Sequence, residues 1–134
     1  MARILVVEDK LGARQALAEA AADAGAEVLT AESAADALRK IGANTFDVVL
    51  TDLSMETAQG GLDVLRAAKD KDVYTQVIVI TAHGTPEISV RCMRLGAFDY
   101  LDKNSPGTDV FAMVTSKVRL ALEFRKAKLA ERIR

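Results

Sequence analysis

Short runs of β-branched and apolar residues alternate along the chain with longer stretches of helical spacing. Ile4-Leu5-Val6-Val7, Val48-Val49-Leu50-Thr51 and Val77-Ile78-Val79-Ile80 are apolar at nearly every position, as strands covered on both faces require. The pattern predicts strands over residues 3–8, 27–31, 46–51, 74–81 and 98–101. An Ala-rich helix over 11–24 stops at Gly25. Ser33, with Asp36 three residues on, opens a second helix ending near Gly42. A loop after Asp52 runs to Gly61 and leads into a helix over 62–71. Thr85-Pro86-Glu87 combines a hydroxyl cap, a first-turn proline and an acid at the positive dipole end, and its helix stops at Gly96. The last helix starts near Thr108 or Asp109 and extends toward Arg134. Val118, Leu122, Leu129 and Ile133 fall on roughly one of its faces, with Arg125 interrupting. It is either a final helix with a charged tail or the root of a connecting or dimerising helix.

Strands alternating with helices imply an α/β fold, a parallel sheet with helices on both faces. Ligands in such sheets bind beyond the carboxyl ends of the strands. At those ends stand Glu8-Asp9, Asp52, Thr81-Ala82 and Lys103. Three carboxylates, a hydroxyl and an ammonium meeting there describe a divalent-metal site beside an acidic nucleophile. Taken alone, Glu8-Asp9 reads more simply as an acidic helix cap. The company of Asp52 and Lys103 overturns that reading.

The remaining totals exclude more than they add. With 134 residues, the chain is the size of one domain, and its net charge of −1 gives no field for nucleic acid or a membrane surface. No stretch approaches the ~20 apolar residues of a membrane span. A single cysteine, Cys92, cannot form an internal disulfide and fits a reducing cytoplasm, where it reads as a small helical residue. One histidine and no Cys/His cluster leave neither a zinc site nor a Ser-His-Asp triad.

The motifs Val6-Val7-Glu8-Asp9, Asp47-Val48-Val49-Leu50-Thr51-Asp52-Leu53-Ser54-Met55, Val77-Ile78-Val79-Ile80-Thr81-Ala82 and Gly96-Ala97-Phe98-Asp99-Tyr100-Leu101-Asp102-Lys103 are each weak. In this order and spacing the chain, up to about Leu122, resembles the response-regulator receiver domain of bacterial two-component signalling. The resemblance implies a flavodoxin-like doubly wound (βα)5 sandwich with sheet order 2-1-3-4-5. Residues 1–122 would form the receiver, and 123–134 would extend the last helix, open to linking an output domain. Asp52 would accept a phosphoryl group from the phosphohistidine of a sensor histidine kinase or a histidine phosphotransfer protein, or from a small phosphodonor. Asp9 and Asp52 would bind Mg²⁺ (or Mn²⁺) directly, Glu8 through water, and Ser54 through its backbone carbonyl. Lys103 and Thr81 would contact phosphoryl oxygens. Thr81 and Tyr100 would carry the switch to the surface formed by the fourth helix, fifth strand and fifth helix, about residues 86–122, where an output domain, a target protein or a second copy would bind. The domain would catalyse its own phosphorylation and slow dephosphorylation, without membrane or direct nucleic-acid contact. Whether a further domain follows Arg134 stays open.

Three departures from the family pattern matter. The segment Met55-Glu56-Thr57-Ala58-Gln59-Gly60-Gly61 lacks the usual proline after the methionine, and its Gly-Leu pair arrives one residue late. Asn104 follows Lys103 where the family has proline in a cis peptide; trans is expected here, since cis before a non-proline costs about 2.5–4 kcal/mol. His83 lies two residues past Thr81, either as an exposed loop residue or, with Ser54, as a tuner of acyl-phosphate hydrolysis. The competing functional reading is a degenerate pseudo-receiver working only by protein contact. An aspartyl phosphatase would place a second acid where Ser54 stands, and a nucleotide or flavin cradle would be glycine-rich where Glu8-Asp9-Lys10-Leu11-Gly12 is acidic.

Overall fold

The computed structural model describes residues 1–107 and 109–132; Thr108, Ile133 and Arg134, which figure in the expectations for the last helix, lie outside them. Ten elements alternate along the chain: β1 (Arg3–Val7), α1 (Leu11–Ala22), β2 (Glu27–Ala31), α2 (Ala34–Ala43), β3 (Val48–Asp52), α3 (Gly60–Lys71), β4 (Gln76–Thr81), α4 (Pro86–Arg94), β5 (Asp99–Asp102) and α5 (Val110–Arg132). All strand pairs are parallel, in the order β2-β1-β3-β4-β5. The order therefore reverses between β1 and β3, which opens a crevice at their carboxyl ends.

Two apolar layers fill the space between sheet and helices. Alternate residues of the central strands go to opposite sides, as the pleat demands. Leu5, Val7, Val49, Val77 and Val79 pack with Leu62, Leu65 and Cys92 under the α2, α3 and α4 side. Ile4, Val6, Leu50, Ile78 and Ile80 pack with Leu17, Val114 and Val118 under α1 and α5. Every residue of β3 and β4 is buried, which is why their sequences show no polar alternation.

The locally encoded helix starts are formed as expected. The Ser33 hydroxyl accepts from the Asp36 amide at 2.9 Å, and the Thr85 hydroxyl accepts from the Ile88 amide at 3.2 Å. Strand limits shift where side chains claim the backbone. Tyr74 was expected to open β4, but its amide donates to the Asp72 carboxylate at 2.8 Å and the Thr75 amide closes a turn on the Asp72 carbonyl at 3.1 Å, so the strand starts at Gln76. At the other end, β3 runs one residue further than expected and includes Asp52.

Arg125, the interruption on the apolar face of α5, is paired through its two terminal nitrogens with acids on two other segments, while its Nε is buried without a hydrogen-bond partner. Its guanidinium lies 2.7 Å from Asp47 Oδ1 and 3.6 Å from Asp72 Oδ2, and Asp47 Oδ2 also accepts from the Arg3 amide at 2.7 Å. A charge-assisted cluster thus pins the long helix at the amino edge of the sheet. Phe98 and Phe124 extend that attachment, with ring centroids 5.5 Å apart.

Gly61 marks the tightest point of the framework. A Cβ there would overlap the Asp52 carbonyl oxygen and lie 2.7 Å from Leu53 Cα, while the Gly61 amide donates to the Leu53 carbonyl at 2.8 Å. Gly61→Ala is expected to lower stability by about 1–3 kcal/mol, the usual cost of forcing extra atoms into a packed region. A urea melt reads this as a lower midpoint at constant slope. An unchanged midpoint would show that α3 can retreat from β3 freely.

Candidate functional site

β3 ends on Asp52, which is 8% exposed, and β1 delivers Glu8, which is fully buried. The Glu8 amide donates to the Ala31 carbonyl at 3.0 Å, so the β1–β2 ladder fixes its backbone one residue beyond the strand. The N-cap of α1 is Lys10, which makes no side-chain capping bond, so the two acids do not serve as the cap of that helix. Asp9 is exposed at the rim. One carboxylate oxygen from each of Glu8, Asp9 and Asp52 lies within 4.8 Å of the others, the single such group among the described residues.

Lys103 enters this cluster from the end of β5. Its Nζ is 2.8 Å from Glu8 Oε1 and 3.3 Å from Asp52 Oδ2. Burial disfavours the ammonium, but the hydrogen bond to Glu8 and the negative charges of Asp52 and Glu8 outweigh it and hold its pKa above the ordinary lysine value. Asp52 Oδ1 accepts from the Leu53 amide at 2.8 Å. The Asp9 carboxyl is pushed up by its hydrogen bond to Glu8, by partial burial and by the Glu8 charge. One ammonium facing three carboxylates leaves negative charge in excess. Hard oxygen donors in that arrangement fit a small divalent cation, which takes one or two carboxylates and keeps waters or phosphate oxygens elsewhere.

The other expected residues are placed around this centre. Thr81 is buried at the end of β4, where its hydroxyl accepts from the His83 amide at 3.1 Å and its carbonyl accepts from the Lys103 amide at 2.9 Å. Its neighbour His83 is exposed. The Ser54 hydroxyl turns into its own loop and donates to the Ala58 carbonyl at 2.9 Å. Tyr100 is half-buried on β5, and its hydroxyl is buried with no hydrogen-bond partner. Desolvation, with smaller effects from Cys92 and Asp102, raises the pKa of that phenol.

Three side chains to which the sequence analysis assigned no contact hold the site in place. The Arg14 guanidinium donates to the Glu8 carbonyl at 3.0 Å and the Asp9 carbonyl at 3.3 Å, which ties α1 to the acidic turn. The Glu56 carboxylate, where the family pattern has proline, accepts from the Ala34 and Ala35 amides at 2.8 and 3.0 Å. It thereby docks the longer β3–α3 loop on the N-terminus of α2, and those amides hold its pKa below the usual carboxylate range. The Lys103–Asn104 peptide is trans, as expected, and the Asn104 amide group donates to the Ala82 carbonyl at 2.9 Å. Lys103 reaches the acids with the trans bond in place. The signal for Arg14 was present as a helical arginine one turn past an acidic pair. Glu56 and Asn104 carry no local signal of these bonds, because their partners lie 21 or 22 residues away.

Comparison with known proteins agrees with this geometry. The family model described as the response regulator receiver domain matches residues 4–115. The DNA-binding transcriptional regulator NtrC of Escherichia coli strain K12 is 34% identical over 111 residues, which cover 83% of this chain and 24% of that protein. The C4-dicarboxylate transport transcriptional regulatory protein DctD of Pseudomonas aeruginosa is 34% identical over 97% of this chain and 27% of its own length. The chain thus spans about a quarter of these curated relatives. Among solved structures, a response regulator receiver domain protein from Clostridium thermocellum is 32% identical with a TM-score of 0.80, covering 95% of this chain and 98% of that one. NtrX from Brucella abortus is 30% identical with a TM-score of 0.80, over 97% of this chain and 28% of that one. With five parallel strands in the order 2-1-3-4-5 and acids gathered at the switch point, the chain belongs to the response regulator receiver domain family.

Proposed function

We propose that this chain is a phosphorylation-activated switch in which Asp52 is the phosphoryl acceptor. The observation that carries the reading is Lys103, whose ammonium spans Glu8 and Asp52 at the crevice between β1 and β3. A carboxylate is a weak nucleophile toward an anionic phosphoryl group, so the reaction depends on positioning and charge neutralisation. Asp52 is already positioned: Oδ1 is held by the Leu53 amide, and Oδ2 is the oxygen facing Lys103.

The donor is the phosphohistidine of a sensor kinase or phosphotransfer protein. An Asp52 oxygen forms the new O–P bond while the P–N bond breaks, and the released imidazole nitrogen takes back the electron pair and a proton. Hydrolysis later joins a water oxygen to phosphorus, breaks the Asp52 O–P bond, and returns the carboxylate and inorganic phosphate. Asp9, Asp52, Glu8 and the Ser54 carbonyl would hold Mg²⁺, or Mn²⁺ in its place. A divalent cation there supplies positive charge that lets the acids and phosphoryl oxygens approach. Lys103 would exchange its bond to Asp52 for one to a phosphoryl oxygen, and the Thr81 hydroxyl would donate to another. A phosphoryl group brings roughly two charges and three acceptor oxygens, enough to bias a two-state loop.

The reading extends to the whole signalling protein. Response regulators receive signals from histidine kinases and carry output domains. NtrC and DctD are transcriptional regulators, and one solved neighbour at 27% identity is a beryllofluoride-activated NtrC4 receiver domain dimer. For this chain the corresponding surface is α4, β5 and α5. The unit up to residue 122 would act as the receiver and the remainder of α5 as a connector, a role the Arg125 cluster supports by fixing where that helix leaves the sheet. A pseudo-receiver is not favoured: the clustering of Glu8, Asp9 and Asp52 within 4.8 Å and the bonds of Lys103 to two of them support a working site.

Incubation with acetyl phosphate and Mg²⁺ is expected to add the mass of one phosphoryl group, which a chelator prevents. No added mass would overturn the reading. Asp52→Asn is expected to abolish that addition and, in chelator, to raise stability on the order of 1 kcal/mol, the repulsion of two charges about 4 Å apart in water. A lower urea midpoint for this variant would show that the bonds to Leu53 and Lys103 outweigh the repulsion. His83→Ala is expected to change the dephosphorylation rate several-fold while leaving the rate of labelling unaltered. Equal phosphoryl lifetimes would remove His83 from the reaction.

A further inference from the structure

Tyr100 lies where only glycine permits it. A Cβ on Gly84 would overlap the Tyr100 hydroxyl oxygen, and would sit 2.7 Å from the ring carbon Cζ and 2.9 Å from Thr81 Cγ2. The aromatic ring therefore points from β5 into the β4–α4 loop, its tip filling the notch left by the missing side chain. The ring packs against the apolar layer that includes Val77, Val79 and Cys92. Nothing polar holds it there, since its hydroxyl is buried without a partner. Register brings the two elements together: Tyr100 pairs with Val79, and Thr81 with Asp102, on adjacent parallel strands.

We propose that Gly84 is the positioning residue of the switch: its bare Cα is what lets Tyr100 rest inward, beside Thr81, before any phosphoryl group is present. The proposal rests on the receiver reading for its meaning but not for its test. An inward ring that needs no ligand leaves the β4–α4 loop little further to travel when Thr81 moves toward a phosphoryl oxygen. A methyl at position 84 would force a choice between swinging the ring to solvent and moving the loop away from Thr81. Because the hydroxyl forms no bond in the notch, no polar interaction opposes the outward swing. Packing of the ring against the apolar layer holds the position against the cost of burying an unpaired hydroxyl, so one carbon atom suffices to shift it.

The experiment uses the full chain with Tyr74→Phe, which leaves Tyr100 as its one tyrosine, labelled with 3-fluorotyrosine and read by ¹⁹F NMR in chelator. With glycine at 84, the resonance should be shifted from the free amino acid and protected from a soluble paramagnetic quencher. In Gly84→Ala it should move toward the free value and become quenched. A protected, unshifted resonance in Gly84→Ala would overturn the proposal. Stability gives an independent reading through a double-mutant cycle. The fall in urea midpoint caused by Gly84→Ala should shrink in a Tyr100→Ala background, where only the contact with Thr81 Cγ2 remains, whereas an equal fall in both backgrounds would overturn it. If Gly84→Ala alone does not fold, recovery of folding by Tyr100→Ala supports the notch, and failure of the pair refutes it. Acetyl phosphate labelling of Asp52 runs in parallel. Loss of labelling in the unaltered chain would strike the receiver reading and leave the Gly84 result standing.

Discussion

The structure turns on a single ammonium group. Lys103 joins the end of β5 to the ends of β1 and β3 through Glu8 and Asp52, partners 95 and 51 residues away in sequence. Glu8 is fully buried, and an unpaired carboxylate in that position would carry a large desolvation penalty. Lys103 removes it, and in doing so fixes the separation of the strand ends that form the crevice. Its charge is not sufficient for three acids, however. The remaining excess makes the site receptive to a second cation and, once that is bound, to an anionic group. Stability of the resting fold and competence for chemistry thus come from the same electrostatic imbalance.

Around that centre the connecting loops are held by polar bonds at places where the family pattern has proline. Glu56 attaches the lengthened β3–α3 loop to the first amides of α2, so the added residue is taken up at the surface. Closer to the acids, Gly61 keeps α3 in contact with the backbone of Asp52 and Leu53. Asp52 keeps its place at the end of a fully buried strand.

Much of this was legible in the residues because its causes are local. Ser33 and Thr85 cap their helices within three residues of themselves, and the β-branched runs show which segments are covered on both faces. Asp52, Glu8 and Lys103 could be brought to one place in advance because parallel strands must deliver their carboxyl ends to one edge, although the direct bonds of Lys103 to both acids were not foreseen. The features that escaped notice depend on partners far apart in sequence. Arg125 looked like a flaw in an apolar stripe until Asp47 and Asp72 were seen around it. Gly84 carries no signal in the sequence, because its contact is with Tyr100, sixteen residues on and in another element. The start of β4 was misplaced because the side chain of Asp72 competes for the Tyr74 amide, an effect that hydrophobic pattern does not register.

Asn104 has a consequence of a different kind. A pyrrolidine ring constrains its loop through covalent geometry, whereas the Asn104 amide holds Ala82 through a bond that surrounding water contests. The loop that carries Lys103 is therefore expected to open locally at lower cost than the sheet beneath it, whose central strands are buried throughout.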